Sequence, residues 1–101
     1  MLKQLAFGEV WKSHFKTLAQ YVPIVARVHG GSHPEFHKVH KLFEAISSKI
    51  KETDSKSLDL SKEFEGLREV TDNYTVPEDV CGSYQEVYRM LSEADQAYQA
   101  I

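Results

Sequence analysis

Apolar residues recur along this chain at intervals of three and four, and no segment alternates apolar with polar over several positions. That spacing matches the helical turn and not the two-residue repeat of a strand, so the chain is predicted to be all-α. Proline and glycine divide the pattern into pieces. Phe7, Trp11, Phe15, Leu18 and Val22, extended by Leu2, Leu5 and Ala6, form the stripe of a first helix over residues 2–21. Pro23 is expected to end or kink it, with Ile24 to Val28 continuing in helix beyond the kink. Gly30-Gly31 then supplies a stop.

Ser32 and Glu35 have the spacing of a capping box, with Pro34 in the first turn, which starts a second helix running from about 33 to 52. Phe36, Val39, Phe43, Ile46 and Ile50 mark its buried face, and the polar residues Glu52 to Ser57 read as a loop. A third helix is predicted over 59–72, with Leu60, Phe64, Leu67 and Val70 inward. Tyr74 to Pro77 reads as an extended connection, because a residue before proline avoids the helical region. The last helix starts at Pro77 or at Ser83, where Ser83 and Glu86 repeat the capping-box spacing, and it buries Val87, Leu91, Ala94, Tyr98 and Ile101. The architecture these pieces imply is an antiparallel bundle of three to four helices forming one domain over residues 1–101. The apolar end of the last helix makes a homodimer a candidate.

Charge and composition exclude several functions. The net charge is −3, with 12 basic side chains scattered among 15 acidic ones, so no electrostatic footprint for nucleic acid exists. No run of 18 apolar residues would span a membrane. No apolar stretch before a small-residue cleavage site follows Met1, and a cytoplasmic location is expected. A single cysteine, Cys81, permits no internal disulfide. No phosphate-binding glycine loop, nucleophile elbow or paired-cysteine motif occurs, so an independent enzyme is the weakest reading.

Histidine is the compositional anomaly. Four of the five histidines, His29, His33, His37 and His40, fall within twelve residues. On a helix turning roughly 100° per residue, His33, His37, His40 and Glu44 lie within about 60° of one another beside the core face. Neighbours stand one turn apart, so one helix could present two or three metal ligands, and His40 with Glu44 makes an H-x-x-x-E pair. The alternative is a solvated polar flank. His14 reads as a boundary residue that could meet the second helix, and Cys81 as a small buried hydrophobe, a reactive thiol or an iron ligand. Glu63, Glu65 and Glu69 read as a solvent-facing surface.

Two segments resemble the iron-sulfur cluster repair family, whose members are hemerythrin-like di-iron proteins. Val25-Ala26-Arg27-Val28-His29-Gly30-Gly31-Ser32-His33-Pro34-Glu35-Phe36, followed by Leu42-Phe43, is similar to the family's VARVHG-x-x-HPEL…LF stretch. Leu67 to Cys81, followed by Tyr84 and Tyr88, is similar to its LRELTNNYTPPEDAC…Y…Y stretch. The resemblance implies a hemerythrin-like bundle, non-haem iron with a di-iron centre in the family, and a role in restoring iron-sulfur clusters damaged by nitric oxide or oxidants. It also implies that His29 ligates iron and that iron-sulfur proteins are the clients. The chain is expected to be a short member. Lys49 to Ser57 and Ser57 to Phe64 stand where the family carries further histidine ligands. His29, His33, His37, His40 and Glu44 are therefore the candidate metal ligands, on an incomplete set. The competing expectation is a bundle that has lost iron and serves as a protein-interaction module.

Overall fold

The computed structural model describes residues 2–52 and 58–100, with side chains described from Phe7 onward, and contains four helices. They are α1 (Leu2–His29), α2 (Glu35–Glu52), α3 (Ser61–Val70) and α4 (Gly82–Gln99). No strand occurs among the described residues. Named side-chain pairs give the directions. Trp11 meets Phe43 across α1 and α2, Lys49 meets Glu63 across α2 and α3, and Arg68 meets Asp95 across α3 and α4. Phe7 at the start of α1 lies 5.4 Å from Tyr98 near the end of α4. Every sequential pair is thus antiparallel, and α4 closes back on α1. The bundle is 40 Å long, as a 28-residue helix rising about 1.5 Å per residue requires.

The predicted inward residues fill the core. Phe7, Trp11, Leu18, Val22, Phe36, Val39, Phe43, Ile46, Leu60, Phe64, Leu67, Val87, Leu91 and Ala94 are buried. Phe15, Ile50, Val70 and Tyr98 pack half-buried against them. The expected side-chain positions of Leu2, Leu5, Ala6 and Ile101, and the loop after Glu52, lie outside the described residues. Tyr84 and Tyr88, outside the predicted stripe, are as deeply buried as any core residue.

Several boundaries differ from expectation, each for a local reason. At Pro23, where α1 was expected to end or to go on in helix beyond a kink, the helix goes on, to His29. The Pro23 ring points to solvent while Leu18, Val22, Val25 and Ala26 keep one continuous buried face, so packing offsets the one missing backbone hydrogen bond. α2 begins at Glu35, after His33 and Pro34, because Pro34 keeps His33 out of the helical region. The Ser32–Glu35 capping box does not form. Glu35 turns its carboxylate to His33 instead. The Ser83–Glu86 box is likewise absent. Cys81 is the N-cap of α4 and makes no side-chain cap bond, while Glu86 pairs with Arg89. Glu65 and Glu69 face solvent as expected. Glu63 does not: it is partly buried and its Oε2 lies 2.8 Å from Lys49 Nζ.

The turn between α3 and α4 is unusual. Asp72, Asn73 and Tyr74 all have positive φ, at 52°, 57° and 62°. Asp and Asn visit this region readily, but a tyrosine there costs about 1–2 kcal/mol. Tyr74 is held by its backbone N–H, which donates to Thr71 Oγ1 at 2.8 Å, and by its hydroxyl, which donates to Asp95 at 2.7 Å. The chain then runs extended into α4, and this route delivers Asp79 and Cys81 to the end of α1.

Candidate functional site

His29 and Cys81 meet at one end of the bundle, with His29 Nε2 3.2 Å from Cys81 Sγ. His29 is the last residue of α1 and Cys81 the N-cap of α4, so the antiparallel α1–α4 pairing brings them together over 52 residues of sequence. Cys81 is exposed and His29 half-buried. Beneath them, the Tyr84 ring stands edge-on to both His29 and His33. Tyr84 and Tyr88 share a 3.1 Å hydroxyl contact, and the Tyr84 hydroxyl reaches toward Glu35 at 3.5 Å. Burial, reinforced by these neighbours, pushes the Tyr84 phenol well above its usual value, so it stays neutral and acts as a donor.

His33 lies beside this pair with both ring nitrogens engaged. Nδ1 is 3.0 Å from Glu35 Oε2 and Nε2 is 3.0 Å from Asp79 Oδ1. Desolvation works to lower its pKa, but the hydrogen bonds to Glu35 and Asp79 outweigh that and hold it above its ordinary value. His33 is therefore clamped as a cation-favouring link between the start of α2 and the turn before α4.

The predicted ligands do not all arrive in one place. His37 is exposed but packs over Gly30, where a side chain would strike its imidazole and the Ala26 carbonyl. His40 and Glu44 form their own pair at 3.8 Å, farther along α2. His14 meets α4 and not α2, with Nε2 2.7 Å from Glu93 Oε1, and this contact holds the Glu93 carboxyl below its usual range. Cys81, expected as a small buried hydrophobe, a reactive thiol or an iron ligand, is exposed beside His29, and Asp79 was not among the candidate residues. The signal for them was that both close the second motif segment, as His29 closes the helix of the first.

A resident di-iron centre requires several donors converging on two ions. Among the described residues no three of His, Cys, Asp and Glu are grouped to hold a metal, and His33 spends both nitrogens on carboxylates. The donor set does not fit that centre. It does offer a two-ligand edge. At roughly 2.1 Å for a ring nitrogen and 2.3 Å for a thiolate, two ligands of one first-row ion stand about 3–3.6 Å apart, which the His29–Cys81 separation matches.

Among the described residues no helix is long and apolar enough to cross a membrane. Comparison with known proteins finds similarity to the iron-sulfur cluster repair protein ScdA of Staphylococcus epidermidis, in strains ATCC 35984 and ATCC 12228. Each is 25% identical over 123 residues, covering 91% of this chain and 55% of the relative. The chain spans about half the length of the curated relatives it matches. No family model matches the chain. No solved structure matches it. The chain is thus an all-α bundle distantly similar to an iron-sulfur cluster repair protein.

Proposed function

We propose that this chain is an accessory protein of iron-sulfur cluster repair, and that its imidazole–thiol end handles ferrous iron as cargo. The observation that carries this reading is the 3.2 Å approach of His29 Nε2 to Cys81 Sγ, which joins the two segments resembling the repair family. The similarity to ScdA over most of the chain supports the repair role. Two protein donors leave the remaining positions of an ion to water or to a client protein's ligands. Such a shell suits brief holding and hand-over better than permanent retention. His33 and His37 border the pair, and His33 would become a further donor only by leaving Glu35 and Asp79. His40 and Glu44 are a separate pair and carry less of the proposal.

Anaerobic equilibrium dialysis against ferrous iron tests the iron part. About one iron per wild-type chain is expected, lost in His29→Ala and in Cys81→Ser and kept in His40→Ala. The repair part is tested by adding the loaded protein to a dehydratase whose iron-sulfur cluster has been damaged by nitric oxide. Faster recovery of activity with wild type than with His29→Ala is the expected result. A second reading, a metal-free interaction module, draws on the lack of three grouped donors among the described residues. It would prevail if recovery were stimulated equally by wild type and both variants with no iron bound.

A further inference from the structure

At the end of the bundle away from His29 and Cys81, a cleft of about 890 Å³ opens between α1 and α3. Trp11 stands 18 residues before His29, about 27 Å along α1 at 1.5 Å per residue, so this cleft is separate from the imidazole–thiol end. Its walls are aromatic: Phe7, Trp11 and Phe15 from α1, Phe64 from α3 and Tyr98 from α4. Phe7 stacks on Trp11 with centroids 6.3 Å apart, and Tyr98 stands edge-on to Phe7 at 5.4 Å and tilted to Phe64 at 5.3 Å. Phe7, Trp11 and Phe64 are the buried floor of the cleft, and the half-buried rings of Phe15 and Tyr98 offer the open aromatic surface that a flat aromatic body would cover. The volume falls in the range of about 300–1,000 Å³ seen for small-molecule sites.

Two further observations point to a ligand. The first is charge. The chain is net acidic, yet among the described residues three of the four charged ones lining the cleft are basic: Lys12, Lys51 and Arg68, against Glu65. Arg68 is committed to Asp95, so Lys12 and Lys51, both exposed, are the cations that face an incoming group. The second is Gly8. A glycine inside a helix costs about 1 kcal/mol relative to alanine and calls for a reason. Gly66 in α3 has one, since a Cβ there would crowd Leu42. At Gly8, as at Gly82 where α4 begins, a Cβ would meet no atom of the described residues within 4 Å, and Gly8 lines the cleft. No packing demand keeps it small, and a side chain there would narrow the mouth.

We infer that this cleft binds a small amphipathic anion with a flat aromatic body, its rings among Phe7, Trp11, Phe15 and Tyr98 and its charge facing Lys12 and Lys51. The inference is independent of the iron-handling reading and stands or falls separately.

The test uses the whole chain with anilinonaphthalene sulfonate as the anionic probe and N-phenylnaphthylamine as its uncharged counterpart. Trp11 is the only tryptophan, so its quenching reports a bound probe, and loss of that quenching in Gly8→Leu places the probe in this cleft. Saturable binding of one sulfonate per chain is expected, with Trp11 quenched and the near-ultraviolet dichroism retained. Gly8→Leu should weaken binding about tenfold. Its helix content and unfolding midpoint should hold or rise, because leucine favours helix over glycine. Lys12→Glu with Lys51→Glu should weaken the sulfonate several-fold and leave the uncharged probe unchanged. Equal affinity of Gly8→Leu and wild type would overturn the site. Equal affinity for the two probes would overturn the anion preference. Binding that quenches Trp11 only as the near-ultraviolet signal collapses would overturn both, since it would report loosened packing.

Discussion

Arg68 Nη1 lies 2.7 and 3.0 Å from the two carboxylate oxygens of Asp95, pinning α3 to α4. The Asp95 side chain is only 2% exposed and also accepts from Tyr74 and Gln99, so its oxygens are fully engaged. The same carboxylate that joins two helices therefore also fixes the left-handed turn that aims Asp79 and Cys81 toward α1.

Removing Arg68 leaves that carboxylate buried without its counter-charge. Arg68→Ala is expected to cost about 3 kcal/mol, and Tyr74→Phe, which removes one hydrogen bond, about 1 kcal/mol. Urea unfolding at pH 7 measures both. Equal costs for the two would show that the ion pair is not the dominant contact.

The His33 clamp carries a pH signature. Its pKa is raised in the folded chain, so its contribution to stability is complete below the ordinary imidazole value of about 6.5 and fades as pH rises through the raised value. The stability gap between wild type and His33→Gln should shrink on going from pH 6 to pH 8. Urea midpoints across that range decide it, and a gap that widens with pH would contradict the clamp.

Two adjacent glycines should behave differently. At Gly30 a Cβ would collide with the Ala26 carbonyl and the His37 ring, whereas at Gly31 it would meet nothing within 4 Å. Gly30→Ala should destabilise by about 1–3 kcal/mol, while Gly31→Ala stays within about 0.5 kcal/mol of wild type. Thermal unfolding of the two variants side by side checks this.

Tyr98 adds to the cap of α3. Its hydroxyl accepts from the Leu60 backbone N–H at 2.9 Å, beside Asp59 Oδ1, which accepts from the Ser61 N–H at 3.0 Å. Tyr98→Phe should cost about 1 kcal/mol and speed amide hydrogen exchange at Leu60, with Val87 in α4 unchanged. Uniform acceleration in both helices would mean the bond matters globally and not as a cap.

The helices and their inward faces were legible in the sequence, because the spacing of Phe36, Val39, Phe43 and Ile46, or of Phe64 and Leu67, is a local property of the helical turn. The stops at Gly30 and before Pro34 were local as well. What spacing along α2 could not reveal is that its histidine stripe divides. His33 leaves the helix because of Pro34 and turns to Glu35 and Asp79, His37 covers Gly30, and His40 keeps to Glu44.

The pairing of His29 with Cys81 belongs wholly to tertiary structure. Nothing local relates residues 52 positions apart; they meet because α1 and α4 run antiparallel and the turn at Asp72–Tyr74 sets where α4 begins. The two capping-box patterns make the same point in reverse. Each is a local signal worth about 0.5–2 kcal/mol, and each was overridden where a charged side-chain partner offered more. The sequence by itself determined which residues seek the core and which supply imidazole, thiol and carboxylate. Only the packing of four helices decided which of those groups share a site.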